Sequence, residues 1–566
     1  MRVVGIHDSH NAAAALLVDG EIKAAIQEER LVREKNFDGF PARAIAEVLR
    51  AEALSPSQVD VVAMAGIHQP YPRNREQRIA EFVGASSTKV KGRIKMAAKK
   101  AGGQSVYNAV RKMGRLRQLA ASGFAKEQVV FVEHHRAHAF AALCGSPFRN
   151  EDVLVLTCDG SGDGLCATVN VYRAKTNRLE RIAAIPEDAS IGIVYAMITT
   201  YLGMVPNEHE YKLMGLAPYV GNHVSERTLS VFRSLMRFSA NGLTWARSPG
   251  VPNFYNSFGY FRDLLLLHRF DIVSAALQKW TEKILVKWVT AAIRETGIHT
   301  VALSGGVFMN VKANKAIMEI PEVEKLFVFP SCGDETNTIG ACYWVHYQKT
   351  GELSQPLKSM YLGTAASSTS IKNALRDAKG LRVLATGEAA ADLAAKLLHE
   401  GEIVARFAGR AEFGARALGN RSILANPEKP EVVKTINEAI KSRDFWMPFA
   451  CSVRQEDADT YLVNPKGVAA PFMIMTFDTK NSNQIAGGIH PYDRTVRPQV
   501  VSREANEGYH HLITKFKECD GKGVVLNTSF NLHGHPIVET PLEAIDVLAK
   551  SGLKFLLLED TLVQKV

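Results

Sequence analysis

The 566-residue chain lacks the features that mark several protein classes. Its seven cysteines are scattered and form no CxxC pair, which argues against a disulfide framework and a zinc ribbon. No apolar run reaches the ~18 residues that a membrane-spanning helix needs, and the first residues have no signal-peptide core. Low-complexity tracts and short repeats are also missing. These absences predict a cytoplasmic protein without a transmembrane segment, and the length predicts two or three domains.

Acidic residues are scarce in one segment, residues 68–117. It contains 13 Lys+Arg and 2 Asp+Glu, a net charge of +11, whereas the whole chain carries +10. The rest of the chain is therefore close to neutral. A solvated helical insertion is the simplest interpretation, and a docking surface for a lipid or a substrate is the alternative.

The first thirty residues predict three strands joined by a polar loop and a hairpin turn. The strands are Arg2–Ile6, Ala12–Val18 and Glu21–Ile26, the loop is Gly5–His10, and Asp19–Gly20 is the turn. The same pattern recurs in the segment 153–178, where a strand enters a loop rich in glycine and aspartate. Two such lobes would place both loops around one cleft.

Further along, helical and strand patterns alternate. Helices are predicted at Ile191–Leu202 and Ile272–Glu295, and buried strands at Thr300–Leu303 and Lys325–Phe329. This alternation predicts an α/β fold. A proline-containing linker near residues 353–362 separates two predicted domains, 1–352 and 363–566.

A histidine pair provides the first chemical signal. His134 and His138 are four residues apart, so they lie on one face of the helix predicted after the strand Val129–Val132. Two such imidazoles can bind a divalent metal when a third ligand joins them. Asp334 is the candidate third ligand. The alternatives are a structural histidine pair and a helix-capping role for Asp334.

Two glycine-rich turns are candidate phosphate cradles, because glycine lets backbone N–H groups approach an anion. The first is Asp159–Gly164, with Gly160 and Gly162, and the second is Ser304–Asn310, with Gly305, Gly306 and Asn310. An ordinary hairpin and tight packing are the respective alternatives.

The C-terminal segment concentrates basic side chains beside apolar strands. Such groups can bind phosphate, and arginine does so through two parallel hydrogen bonds. The predicted anion pocket contains Arg416, Arg421, Lys441, Arg443, Arg497, Asn527 and Ser529.

Several long motifs resemble the nodulation and antibiotic O-carbamoyltransferase family, in the order in which that family has them. They include GIHDSHNAAAALLVDG, EERLVREKN, HHRAHA, CDGSGDG, EYKLMGLAPY, LSGGVFMN, CGDETNTIGA, EFGARALGNRSILANP and NTSFNLHGHPIVETP. The resemblance covers nearly the whole chain. It implies an N-terminal actin/Hsp70/sugar-kinase-like (Kae1-like) two-lobed domain and a C-terminal YrdC-like α/β domain.

The resemblance also implies an ATP-dependent reaction in two steps. The C-terminal domain would form carbamoyl-adenylate from carbamoyl phosphate and ATP with Mg²⁺. The N-terminal domain would then use a metal, iron in the family, while an acceptor hydroxyl or amine attacks. His10 is the candidate general base, assisted by Asp8 and Asp159; the alternative is that His10 only orients the acceptor. Glu210 and Lys212, in the EYKLMGLAPY motif, join the glycines above as candidate contacts of the nucleotide.

The sequence departs from the family at two positions. Met447 stands where the family has an arginine, and Arg494, where the family has a glycine, could supply the missing charge. The competing interpretations are a tRNA threonylcarbamoyladenosine-type enzyme and a non-enzymatic, ATP-gated binding module. Nucleic acid is not expected as a partner, and no transmembrane segment is expected. The acceptor and the oligomeric state, with a homodimer among the options, stay open.

Overall fold

The computed structural model describes residues 1–84, 104–221, 223–441 and 444–566, which form two compact units. Unit 1 comprises Met1–Glu28 and Asn36–Leu357, and unit 2 comprises Glu29–Lys35 and Lys358–Val566. Unit 2 therefore includes seven residues that come from the N-terminal part of the chain.

Unit 1 contains two five-stranded sheets with helices. Its strands are β1 (Arg2–His7), β2 (Ala13–Val18), β3 (Glu21–Gln27), β4 (Val61–Ala65), β5 (Val129–Val132), β6 (Val153–Gly162), β7 (Leu165–Arg173), β8 (Arg178–Pro186), β9 (Met236–Phe238), β10 (Trp245–Arg247), β11 (Thr300–Ser304) and β12 (Lys325–Val328). Its helices, after α1 (Glu28–Val32) at the junction of the units, are α2 (Ala42–Ala51), α3 (Arg75–Val83), α4 (Gln104–Ala121), α5 (His134–Gly145), α6 (Ile191–Tyr201), α7 (Glu210–Leu216), α8 (Glu226–Arg233), α9 (Phe258–Leu265), α10 (Phe270–Thr296), α11 (Val311–Met318) and α12 (Asn337–Thr350).

The two large sheets of unit 1 repeat one topology. The first has the order β3-β2-β1-β4-β5 and the second the order β8-β7-β6-β11-β12. In each sheet the first three strands are antiparallel neighbours and the last two extend the central strand in parallel. The predicted α/β class is confirmed, and the repeat agrees with the two-lobed, actin-like arrangement that the resemblance implies.

Tight hairpin turns set the register of each antiparallel half. Asp19 and Gly20 have positive φ angles of 48° and 81°, and Asp163 and Gly164 have 53° and 85°. A turn whose two central residues both have positive φ angles matches the right-handed twist of the strands that it joins. The second turn lies within the segment predicted as a phosphate cradle. There β6 continues to Gly162 and pairs with Leu165, so the hairpin alternative describes its backbone.

Helices α5 and α12 pack against each other, and this contact places the candidate site. Helix α12 also packs on β1, β2 and β4, whereas α5 packs on β6 and β11. A Cβ on Gly340 of α12 would lie 1.9 Å from the carbonyl oxygen of Ala137 on α5. Because only glycine allows this approach, the N-terminal ends of the two helices come close together.

Unit 2 is built on an eight-stranded mixed sheet. Its strands are β13 (Leu381–Thr386), β14 (Val404–Phe407), β15 (Arg421–Ala425), β16 (Ala450–Arg454), β17 (Leu462–Val463), β18 (Asp478–Thr479), β19 (Pro498–Val501), β20 (Val524–Ser529), β21 (Phe555–Leu558) and β22 (Thr561–Lys565). Its helices are α13 (Ser368–Asp377), α14 (Glu388–Glu400), α15 (Pro430–Ile436), α16 (Ala458–Tyr461), α17 (Glu507–Asp520) and α18 (Pro541–Lys550). The sheet order is β13-β22-β21-β14-β15-β20-β16-β19, and β17 pairs with β18.

Two separate apolar cores stabilise the unit 2 sheet. One contains Phe407 and Ile423 of the sheet together with Leu548 of α18, and the other contains Leu398 of α14 and Phe516 of α17. Strand residues that alternate in direction contribute to the two cores in turn, as expected for a sheet covered on both faces. Within the residues described here, no helix has both the length and the apolar character needed to cross a bilayer.

Candidate active site

Four side chains of unit 1 converge on one point: His134, His138, Asp159 and Asp334. Nε2 of His134 lies 3.0 Å from Oδ2 of Asp159 and 3.4 Å from Oδ1 of Asp334. Nε2 of His138 lies 3.8 Å and 3.6 Å from the same two oxygens. One ligand atom from each residue fits within a span of 4.8 Å. We call these four residues the His–Asp cluster.

The His–Asp cluster fits a divalent transition metal. A cation with bonds of about 2.0–2.2 Å places neighbouring ligand atoms roughly 3.0–3.6 Å apart, close to the observed separations. Oδ1 of Asp334 is buried without a hydrogen-bond partner, as expected of an oxygen positioned for a cation. Two imidazoles and two carboxylates form a donor set that suits iron or a similar metal and that Mg²⁺ seldom uses.

The electrostatics of the cluster also favour a cation. Burial alone would lower the pKa of His134, but Asp334 and Asp159 raise the pKa to about 9. The same ion pairs hold the pKa of Asp159 well below its usual value despite its burial. The two carboxylates thus stabilise positive charge at this point, whether a proton or a metal supplies it.

Neighbouring groups fix the orientation of the ligands. The backbone N–H of Gly306 donates to Oδ1 of Asp159 (2.9 Å), which turns Oδ2 toward the histidines. Nδ1 of His138 lies 3.2 Å from the hydroxyl of Ser304. Asp163 accepts hydrogen bonds from the backbone N–H groups of His134, Ile67 and His68 at 2.7–3.0 Å. Such partners set the direction and the basicity of metal ligands.

The glycines predicted to cradle phosphate have packing roles here. A Cβ on Gly162 would lie 2.0 Å from the His134 ring, and one on Gly305, whose φ is +110°, would lie 2.3 Å from the carbonyl oxygen of Cys158. Gly160 has more room, with Ile193 at 3.8 Å. Asn310 caps α11 by accepting from Ala313 and exchanges two hydrogen bonds with Gln278. Its side chain is therefore engaged inside the fold.

The loop after β1 places His10 beside the cluster. His10 is half-buried, and its Nε2 has no partner among the described residues. Burial, followed by the charge of Arg78, lowers the pKa of His10 to about 4. The imidazole is consequently neutral at physiological pH and can accept a proton.

His7 was missed from the sequence. It is fully buried, donates from Nε2 to the backbone carbonyl of His10 (3.1 Å), and lies 3.8 Å from Oδ2 of Asp334. It therefore links the His10 loop to a metal-ligand candidate. The sequence placed His7 in the polar loop Gly5–His10, whereas it is the last residue of β1.

Asp8, predicted to assist His10, is instead held by two arginines of α4. Its carboxylate is fully buried and contacts Arg115 at 2.8 and 2.9 Å and Arg111 at 3.2 Å. The guanidinium of Arg115 also donates to the carbonyls of Gly66 and Ala65. With its oxygens paired to fixed charges, Asp8 orients its loop and is not placed to move a proton.

The same contacts correct part of the interpretation of the basic segment. Arg111 and Arg115 are buried, whereas Val106, Val110 and Met113 on the opposite side of α4 are exposed. This part of the segment is therefore an anchored scaffold and not a uniformly solvated helix. Residues 85–103 lie outside the described structure.

Glu210 and Lys212 lie at the beginning of α7. Oε1 of Glu210 accepts a hydrogen bond from the backbone N–H of Asn207, and burial raises the pKa of Glu210 to about 7. Lys212 is half-buried one turn into the helix. Their contact with a nucleotide stays a prediction.

In unit 2, Arg421 lies inside the fold. This residue begins β15, is fully buried, and donates to the carbonyls of Ala408, Asn420 and Gly409 at 2.8–3.1 Å. Its guanidinium also lies over the ring of Phe407, 3.7 Å from the centroid. These contacts engage the side chain within the fold, and its contact with an anion stays a prediction.

The remaining candidates surround the end of β20. Nζ of Lys441 donates to the carbonyls of Ser529 and Asn531 and to the Asn531 side chain. Nδ2 of Asn527 donates to the carbonyl of Ala417, in the loop that carries Arg416. Asn527 and Ser529 lie within β20.

Other positions lie apart from this group or outside the description. Arg497 immediately precedes β19 and is half-buried. Arg443 lies outside the described residues. Nη2 of Arg494 donates to Ser482 and Asn483. Compensation of Met447 by Arg494 stays a prediction.

This sequence is similar to those of known proteins. The N-terminal model of the carbamoyltransferase family matches residues 2–343 and the C-terminal model matches residues 395–565. The uncharacterized protein sll1178 of Synechocystis is 30% identical, over 98% of this chain and 95% of its own. The nodulation protein NolNO of Sinorhizobium fredii is 30% identical, over 98% of this chain and 79% of its own.

Among solved structures, HypF of T. kodakarensis is 13% identical with a TM-score of 0.30, over 62% of this chain and 48% of its own. The family assignment rests on the two family models, which together span both units, and on the full-length relatives. The chain is an enzyme that belongs to the carbamoyltransferase family, as its motifs predicted.

Proposed function

We propose that this carbamoyltransferase activates its donor with ATP in unit 2 and delivers the carbamoyl group in unit 1. The observation that carries the proposal is the His–Asp cluster beside a neutral His10. A basic pocket in unit 2, around Arg416 and Lys441, supports a separate activation site. The acceptor that we propose is a hydroxyl group of a small natural product.

In the first step, water would hydrolyse carbamoyl phosphate to carbamate and phosphate, and a carbamate oxygen would attack the α-phosphorus of ATP. Carbamoyl-adenylate forms and pyrophosphate leaves. Arg416, Arg497 and Lys441 would neutralise the phosphate oxygens, because cationic donors bind phosphate most strongly. In Lys441 the ammonium is already oriented by Ser529 and Asn531.

In the second step, the acceptor oxygen would attack the carbamoyl carbon, and AMP would leave. Nε2 of His10 would take the hydroxyl proton as the new C–O bond forms. A base with a low pKa can do this, since the alcohol becomes acidic only as the bond develops. His7 would hold the His10 loop through its bond to the His10 carbonyl.

Iron, or a similar divalent metal, would be held by His134, His138, Asp159 and Asp334. When bound, it would supply Lewis-acid charge next to His10. Asp159, which the sequence predicted to assist His10, would instead bind the metal as its second carboxylate ligand. Gly306 and Asp163 would keep these ligands in place both with and without the metal.

The test follows nucleotide products and acceptor separately. Purified protein with ATP and carbamoyl phosphate should release pyrophosphate and AMP, and a panel of hydroxyl-bearing natural products should yield one that gains 43 Da, the mass of a carbamoyl group replacing hydrogen. His10→Asn should retain pyrophosphate release and lose the product. Release of ADP, or no dependence on carbamoyl phosphate, would reject the proposal. Carbamoylated or threonylcarbamoylated tRNA would favour the tRNA-modifying alternative.

A further inference from the structure

The segment Glu29–Lys35 belongs to unit 2 although the chain on both sides of it belongs to unit 1. We call it the N-terminal strap. It lies within the motif EERLVREKN and contains two arginines, Arg30 and Arg33, that contact loops of unit 2. Neither arginine has a place in the proposed chemistry so far.

Arg33 contacts the loop that follows β20. Its Nη1 donates to the carbonyl of Ile537 (2.7 Å), its Nη2 donates to the carbonyl of Pro536 (3.0 Å), and Nη1 lies 3.1 Å from Oε2 of Glu543. Glu543 in turn accepts from the backbone N–H of Glu539. One guanidinium therefore fixes two consecutive carbonyls of this loop and one end of α18.

A short path of hydrogen bonds joins that loop to Lys441. Nδ2 of Asn531 donates to the carbonyl of His535 (2.8 Å), the residue before Pro536. Oδ1 of the same Asn531 accepts from Nζ of Lys441 (2.7 Å). A displacement of the loop would thus change the position of the ammonium group assigned to phosphate.

Arg30 contacts the opposite side of the pocket. Its side chain is 2% exposed, and Nη2 donates to the carbonyl of Gly414 (2.9 Å), two residues before Arg416. Its Nη1 has no partner among the described residues. Burying a guanidinium costs free energy unless its contacts compensate. Because Nη1 has no such partner, the buried position of Arg30 lowers the stability of the fold.

We propose that Arg30 and Arg33 are positioning residues for the anion pocket of unit 2. Arg30 places the loop that carries Arg416, and Arg33 places the loop that holds Lys441. The strap thereby completes a pocket whose other parts come from residues more than 370 positions later in the chain. This inference rests on the proposed function, because it assigns carbamoyl phosphate or ATP to that pocket.

The test uses the full-length enzyme and pyrophosphate release from ATP and carbamoyl phosphate. Arg33→Ala and Arg30→Met should each raise the KM for carbamoyl phosphate or ATP by about tenfold or more, which corresponds to about 1.4 kcal/mol. Arg33→Lys should fall between Arg33→Ala and the wild type, because an ammonium cannot match the fork of a guanidinium. Lys35→Ala is the matched control, since Lys35 is exposed in the same strap, and its KM values should equal those of the wild type.

Hydrogen exchange separates positioning from general stability. Arg33→Ala should speed amide exchange in residues 530–537, and Arg30→Met in residues 412–418, with the β14–β15 strands unchanged. Unaltered KM values in variants with faster loop exchange would overturn the proposal. If the wild type releases no pyrophosphate, the proposed function fails. Titration of inorganic phosphate by calorimetry then decides the strap: weaker binding in both arginine variants supports it, and equal binding rejects it.

Discussion

Nε2 of His134 lies 3.0 Å from Oδ2 of Asp159, and the two residues belong to the two different halves of unit 1. His134 begins the helix after the last strand of the first sheet, whereas Asp159 lies on the central strand of the second. The contact therefore joins the two halves of the repeated topology at one point. Distortion of either half should be detectable as a change in metal affinity.

Removal of one imidazole should empty the metal site. His134→Ala is expected to lower bound iron at least tenfold, because a lost ligand from a four-donor set weakens binding severely. Pyrophosphate release by unit 2 should persist. Elemental analysis after reconstitution measures the metal.

His135→Gln is the matched control for that experiment. Nδ1 of His135 bonds to the hydroxyl of Thr157 (2.8 Å), and its ring packs 5.3 Å from that of His134 but is not among the four cluster residues. The control should keep most of its metal. Equal metal content in His134→Ala and the wild type would contradict the site.

Gly162 should be irreplaceable for a steric reason. In Gly162→Ala the new methyl group would overlap the His134 ring at 2.0 Å, so the ring must move and iron binding should fall. Gly160→Ala provides the comparison in the same strand, where the methyl group meets only Ile193 at 3.8 Å. Iron titration of both variants measures the difference, and equal affinities would refute the packing role.

The ion pair between Asp8 and Arg115 should stabilise unit 1. Arg115→Met leaves a buried carboxylate with one arginine, and we expect a loss of about 3–5 kcal/mol in unfolding free energy. Asp8→Asn in the same background should recover part of this loss. Urea unfolding measures both.

Lys112→Met serves as the control on the same helix. Lys112 is exposed, with its ammonium over the ring of Phe131. Its replacement should change stability by less than about 1 kcal/mol. A similar loss in both methionine variants would show that the ion pair has no special role.

Glu210 should make stability fall as pH rises. Burial, and to a lesser extent Glu208, raises its pKa in the folded chain to about 7, above the usual 4.5. Between these two values the folded state binds the proton more tightly than the unfolded state does, so stability decreases from pH 4.5 to 7 and then levels off. Glu210→Gln should therefore match the wild type near pH 4.5 and melt a few degrees higher at pH 8.

Glu226→Gln, at an exposed position of α8, should show no such pH-dependent gain. Thermal melts of the three proteins at several pH values test this. A gain in Glu210→Gln that is equal at all pH values would contradict the raised pKa.

Local patterns in the sequence predicted the repeated strands, the HxxxH pair and its approach to Asp334. The strands and the histidine pair could be predicted because turn residues and a spacing of four act between near neighbours in the chain. Asp334 was a candidate because it follows a buried strand. Asp159 was expected in catalysis, since nothing local shows that Gly306 turns its carboxylate to the histidines. The contacts of Arg421 could not be predicted for a similar reason: its charge is visible in the sequence, whereas the carbonyls that surround it come from separate loops. The strap could not be found from periodicity, because its partners lie hundreds of residues away.

The strap has a consequence for biosynthesis. Residues 29–35 leave the ribosome more than 320 residues before the main body of unit 2 begins. At ~10 residues per second, this is roughly half a minute of translation. During that interval Arg30 and Arg33 have no unit 2 partners, while the unit 1 segments before and after them can already fold. Unit 2 therefore cannot mature as an independent product of the last third of the gene, and its assembly must be among the final events of synthesis.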